Sequence, residues 1–175
     1  RSDSVNEFVQ AARYSATSGT WAAPRTLSAG SVFTEYAVVA VGPTGNGVAV
    51  WYRLGVAEAA RYDAAGDTWT PAETLSSSAI NGPPALAADA EGNAIAAWQL
   101  SSSGVLEVAR FAADANAWTT SVVPGSTAVS APAVVLDPAG NAIAIWRSYS
   151  AAGSLTQAAR YVRDTSTWTP ATFLT

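Results

Sequence analysis

The side chains in this sequence that could bind or transform a ligand return at a nearly fixed interval. Arg13, Arg61, Arg110 and Arg160 recur every 48 to 50 residues, and each is followed at once by an aromatic residue, Tyr14, Tyr62, Phe111 or Tyr161. A guanidinium beside aromatic rings can hold a sugar or a carboxylate through cation–π contact and its fork of N–H donors. An Arg repeated in every unit can equally be structural, spanning the unit to a turn carboxylate such as Asp89 or Asp137 or to backbone carbonyls. Trp21, Trp69, Trp118 and Trp168 stand eight residues after each Arg. An indole offers either a flat face for a pyranose ring or a large surface for packing. Phe33 and Tyr36, with Glu35, occupy a connection where the other repeats have Ser, Ala or Pro. The candidate ligand-binding set is therefore Trp21, Trp69, Trp118, Trp168, Arg61, Arg110, Arg160, Phe33 and Tyr36, and the favoured ligand class is a glycan.

Catalysis has less to draw on. The chain has no His, Cys or Met, and all nine of its basic residues are Arg, so the commonest general base, thiol nucleophiles and the usual zinc ligands are missing. Glu58 and Glu107 lie three residues before their Arg, with Gln10 and Gln157 in the same register. A glycosidase needs two carboxylates roughly 5 to 10 Å apart, and a position that alternates with Gln is a poor candidate for one of them. Asp89 and Asp137 precede a Gly-Asn turn, with Gly42 as their counterpart. Calcium takes six to eight oxygens, usually from closely spaced carboxylates, so turn capping is the better expectation, as it is for Asn46, Asn93 and Asn141. No catalytic residue, metal or cofactor is expected.

The elements that must position these residues follow from the same periodicity. A second series, Gly45 to Trp51, Gly92 to Trp98 and Gly140 to Trp146, reads GNGVAVW, GNAIAAW and GNAIAIW. Turn signals break each unit about every ten residues and no stretch keeps a helical apolar period, so each unit reads as four short strands. In the last unit these are about 133–136, 142–146, 155–162 and 167–174. Ile143 and Ile145 alternate with Ala142, Ala144 and Trp146, so the second strand is apolar on both faces and both must be covered. A β-propeller blade meets that requirement because it packs between two neighbours. The expected fold is all-β, a β-propeller of about three and a half four-stranded blades, divided at 1–29 (a half-blade), 30–82, 83–131 and 132–175.

The pattern P-a-v-x-D-x-x-G-N-a-x-x-x-W, followed by a strand ending in R-Y, resembles the first hairpin of NHL-type and related bacterial propeller repeats. Asp63-Ala64-Ala65-Gly66-Asp67-Thr68-Trp69 is similar to the Asp-box of sialidases, with one extra residue between Asp and Gly. That resemblance implies a structural turn and no catalysis.

Arg1-Ser2 aligns with Arg147-Ser148, so the chain opens on the third and fourth strands of a blade and closes on a complete one. The expectation is a ring finished by the remainder of a larger propeller or by self-association. A net charge of −4 gives no basic surface for nucleic acid, and no apolar run is long enough for a membrane span. The low-charge, Ala/Ser/Thr/Gly-rich, cysteine-free composition points to a bacterial secreted or cell-surface binding module. Two rivals stay open: a structural or assembly unit of a larger surface protein, and a glycoside hydrolase or sialidase-like enzyme.

Overall fold

The computed structural model describes residues 6–31, 33–150 and 153–174, so the alignment of Arg1-Ser2 lies outside the described residues. Among the described residues, the leading half-unit holds four minimal strands, β1 (Gln10–Ala11), β2 (Tyr14–Ser15), β3 (Thr20–Trp21) and β4 (Arg25–Thr26). β1 pairs with β4 and β2 with β3, so these are two strand positions, each interrupted once. Unit one follows with β5 (Thr34–Val41), β6 (Gly47–Arg53), β7 (Val56–Asp63), β8 (Thr68–Trp69) and β9 (Glu73–Thr74). Unit two has β10 (Ile80–Ala88), β11 (Ala94–Leu100), β12 (Leu106–Ala112) and β13 (Ala117–Val122). Unit three has β14 (Val129–Leu136), β15 (Ala142–Ser150), β16 (Gly153–Val162), β17 (Thr167–Trp168) and β18 (Thr172–Leu174).

Each unit is one antiparallel sheet in chain order, as a succession of hairpins produces. The first strands meet between units, β10 lying against both β5 and β14. The outermost strand is split in units one and three, where Pro71 and Pro170 interrupt it, and is continuous in unit two, where Thr119-Thr120 replaces Thr-Pro. Proline has no N–H to give the ladder. The first strands also start earlier than the sequence pattern suggests. β10 begins at Ile80 and β14 at Val129, ahead of the divisions at 82/83 and 131/132, and a bulge takes up the irregular residues. The segment 80–84, which straddles the 82/83 division, is therefore strand.

Burial follows the repeat. Val48 and Val50 of β6 are 4% and 0% exposed and Ile95 and Ala97 of β11 are fully buried, but their counterparts in β15, Ile143 and Ile145, are 50% and 43% exposed. Both faces of the second strand are covered in units one and two, and one face is open in unit three. Between units the core is continuous. Ile95 packs with Val134, Ala142 and Tyr161, and Val9 of the half-unit packs with Ala49, Trp51 and Ala60.

Two side-chain devices repeat with the blades. Ser28, Ser76 and Ser126 accept the backbone N–H of Val9, Ala57 and Leu106 at 2.8, 3.1 and 3.0 Å, fastening each connection to the third strand. In the first hairpin, Gly45, Gly92 and Gly140 hold φ of +86°, +89° and +79°, the left-handed turn geometry that glycine adopts without penalty. Asp89 and Asp137 accept the following Asn93 and Asn141 N–H groups at 2.9 and 2.8 Å, so both carboxylates cap turns. Unit one has Gly42 there because a Cβ would lie 2.7 Å from the carbonyl oxygen of Asp89 in the next unit.

Candidate functional site

The repeated Arg residues cross from one unit to the next. Arg13 donates to the Tyr62 hydroxyl at 3.1 Å and lies 3.6 Å from Asp67. Arg61 places its guanidinium carbon 4.3 Å from the centre of the Phe111 ring and donates from Nη1 to Asn116 Oδ1 at 2.9 Å. Arg110 sits 5.6 Å from the centre of the Tyr161 ring. The structural alternative offered by the sequence was a turn carboxylate or backbone carbonyls across the unit; the longer reach is possible because a third-strand side chain pointing at the neighbour meets that neighbour's aromatic first. Arg160 is exposed, and its charge acts on Asp137.

The repeated Trp residues pack on those same aromatics. Ring centres of Tyr14–Trp21, Tyr62–Trp69, Phe111–Trp118 and Tyr161–Trp168 lie 5.2 to 5.6 Å apart, in tilted cross-strand pairs. Trp69, Trp118 and Trp168 are half-buried, but Trp21 is 69% exposed. Three of the four indoles therefore have limited face to offer a ligand.

What the arrangement leaves open is a cleft at the junction of units. Between units one and two it measures about 310 Å³, at the small end of ligand pockets. Arg61, Thr70, Asp63, Glu91 and Asn116 supply its polar groups, and Val48, Ala88 and Phe111 supply an apolar wall. The Nε of Arg61 is buried and has no hydrogen-bond partner. The carboxylates beside it are engaged elsewhere. Asp63 accepts the N–H of Ala65 and Gly66, Asp89 caps its turn, and Glu91 lies 3.6 Å from Arg163.

The junction before it repeats the layout. Arg13, Ser15, Ala22 and Asp67 there correspond to Arg61, Asp63, Thr70 and Asn116, and they line a cleft of about 250 Å³ beside Trp21. Its electrostatics differ because Asp67 carries a charge where Asn116 does not. Hydrogen bonding from the Tyr62 hydroxyl at 2.6 Å holds the Asp67 carboxyl below the ordinary carboxylate range; desolvation opposes this, and the charges of Arg25 and Arg13 add to it. Arg13 is raised in turn, chiefly by the same tyrosine.

Phe33 and Tyr36 lie away from these clefts, at the start of unit one. Tyr36 sits in the β5 bulge with φ of +55°, its ring centre 6.2 Å from that of Tyr52. The structure thus separates the sequence candidates into Arg and Trp at the junctions and an aromatic pair at the other site. Sequence reasoning missed Asn116, Asp67 and Thr70. A signal existed, since Gly19, Asp67, Asn116 and Ser166 all stand two residues before the repeated Trp.

The Glu and Gln register also has a partner that the sequence did not disclose. Trp51 and Trp98 Nε1 donate to Glu58 and Glu107 at 3.1 and 2.8 Å, and Trp146 donates to Gln157 at 2.9 Å. Glu58 also receives Arg53, and Glu107 receives Ser77 through both its backbone N–H and its hydroxyl. Among the described residues, no group of three or more acidic side chains is placed to hold a metal ion, and no helix is long and apolar enough to cross a membrane.

No protein-family model matches the chain, and no curated protein matches it by sequence. Solved structures do resemble it. Hydrazine synthase from Kuenenia stuttgartiensis superposes with a TM-score of 0.56 at 10% identity, over 74% of this chain and 40% of that one. The K499G mutant of NanB sialidase from Streptococcus pneumoniae gives 0.55 at 14% identity, over 89% and 26%. A fucose lectin from Kordia zhangzhouensis in complex with methyl-fucoside gives 0.46 at 12% identity, over 78% and 97%. The chain spans less than half the length of the first two. At these identities the likeness concerns the fold alone, and the fold is all-β, with propeller-type four-stranded units arranged in an arc.

Proposed function

We propose that this chain is a non-catalytic, extracellular propeller module that binds carbohydrate at the junctions between its blades. The observation that carries the reading is the cleft between units one and two, where Arg61, Thr70 and Asn116 stand beside Val48, Ala88 and Phe111 around a volume of about 310 Å³. A polyhydroxylated ligand suits a site that mixes donors and acceptors over a small apolar wall. The earlier junction supports it by repeating the geometry with Trp21 alongside. The engagement of Glu58 by the Trp51 indole and Arg53, and of Glu107 by the Trp98 indole and Ser77, supports a non-catalytic role. The blade pattern is akin to NHL-type and Asp-box repeats, and the Asp63 turn is consistent with that kinship.

Calorimetric titration with soluble neutral polysaccharides tests the reading. The native chain is expected to bind at least one, and Arg61→Gln is expected to weaken that binding at least tenfold. Binding untouched by Arg61→Gln would sink the cleft as the site. Hydrolysis of a chromogenic glycoside that Glu58→Gln abolishes would overturn the non-catalytic reading.

A second reading, as an assembly unit, is favoured by the open face of unit three. Val135, Ile143 and Ile145 are 43% to 60% exposed there. The corresponding face of unit two is covered by the next blade, so a further unit of the same kind is the natural cover.

A further inference from the structure

Seven described non-glycine residues have positive φ: Tyr36, Leu54, Asp67, Asn116, Ala128, Ala131 and Ser166. Asp67, Asn116 and Ser166 are short polar turn residues, a type that tolerates the left-handed region, and the alanines are small. Tyr36 and Leu54 are large, at φ of +55° and +49°, and they are neighbours. The N–H of Leu54 donates to the carbonyl of Phe33 at 3.1 Å, and Glu35 pairs with Tyr52 across the ladder. Phe33, Tyr36 and Leu54 are 58%, 49% and 57% exposed, while Tyr52 is half-buried and packs against the core.

The left-handed conformation belongs to the bulge, but the fold does not require a large aromatic residue there. A bulge of the same size occurs in unit three and one longer by a residue in unit two, and their left-handed position is filled by Ala131 and Gly82. A phenol ring held in a disfavoured backbone conformation, exposed, and dispensable for the bulge is a feature to be explained by what it contacts. Two phenol hydroxyls and the exposed Glu35 carboxylate border the rings, so the surface combines apolar faces with hydrogen-bonding edges. The chain's net charge of −4 disfavours a polyanion. A neutral pyranose chain presents the complementary pattern, with C–H faces for the rings and hydroxyls for the edges.

We infer that Phe33, Tyr36, Tyr52 and Leu54 form a second carbohydrate platform, separate from the junction clefts, that takes neutral polysaccharide by stacking. The inference rests on the carbohydrate-binding reading above. The test is titration of the intact chain with laminarin, xylan and galactomannan, comparing the native chain with Tyr36→Gly, Phe33→Ala and Arg61→Gln, alongside urea unfolding of each. Tyr36→Gly is expected to weaken binding of at least one polysaccharide tenfold or more with an unchanged or higher unfolding midpoint, because glycine suits the bulge. Phe33→Ala is expected to weaken it in the same direction. If Arg61→Gln abolishes binding and neither aromatic variant changes it by twofold, the platform is overturned and the cleft stands. If only the aromatic variants lose affinity, the platform stands and the cleft falls. Absence of binding to all three polysaccharides by the native chain overturns the platform.

Discussion

Glu107 shows how a residue can look like chemistry and act as structure. It is 2% exposed, and its two oxygens accept Trp98 Nε1, the Ser77 backbone N–H and the Ser77 hydroxyl. Gln157 occupies the same place in unit three and accepts the Trp146 indole through its amide oxygen. Replacing Glu107 by Gln should therefore cost under about 1 kcal/mol, whereas Glu107→Ala strands buried donors and should cost about 3 kcal/mol, as read by urea unfolding. Asp67 provides a titratable counterpart at the surface. Its carboxyl is held low in the folded chain by Tyr62, with Arg25 and Arg13 adding to that. A depressed native value means that the carboxylate contributes stability above its ordinary value of 3.8 and loses that contribution as pH falls through the lower native value. The stability difference between the native chain and Asp67→Asn should be constant from neutral pH down to about pH 5 and shrink below about pH 4. A difference that stays flat down to pH 2 would contradict the role given to this network.

At the scale of the elements, Asn93 joins the two hairpins of unit two. Its Nδ2 donates to Asp89 at 2.8 Å and its Oδ1 accepts the N–H of Ala113 at 3.0 Å, and Asn46 and Asn141 make the equivalent link to Ala64 and Arg163. Asn93→Ala should cost about 2 kcal/mol and speed hydrogen exchange at the Ala113 amide, a local effect that a general loss of packing would not single out. Much of this level was legible in the sequence. The Gly-Asn turns, the apolar second strands and the period of the blades follow from residue type and spacing alone, because each is a local demand of the backbone. What was not legible depends on the neighbouring unit. That Arg61 would meet Phe111 and Asn116, that Gly42 yields to the Asp89 carbonyl, and that Tyr36 would occupy a left-handed bulge are all set by packing or by register irregularity. The sequence pattern marked Phe33 and Tyr36 only by contrast with their counterparts.

For the whole molecule, the repeat turns exposure into a comparison. Three units share one design, so a side chain buried in two of them and open in the third marks a face that lacks a neighbour. Ile143 and Ile145 are such residues, half-exposed where Ile95 and Ala97 are fully covered, and Val135 at 60% exposure extends the same face along β14. Apolar surface of this kind is stabilised by any blade-like sheet that covers it. The opposite end offers the aromatic half of the inter-unit contact, because Tyr14 and Trp21 are 50% and 69% exposed where Tyr161 is 5%, and Arg160 is exposed at the other end. If the assembly reading is right, sedimentation of the 17.9 kDa chain should give a mass that rises with concentration, and Ile143→Ser with Ile145→Ser should return it to the monomer with a modest fall in the unfolding midpoint. The cores between the units stay intact in that variant because both side chains are half-exposed and belong to none of the buried clusters. A mass that stays monomeric at every concentration would remove self-association as the cover for this face.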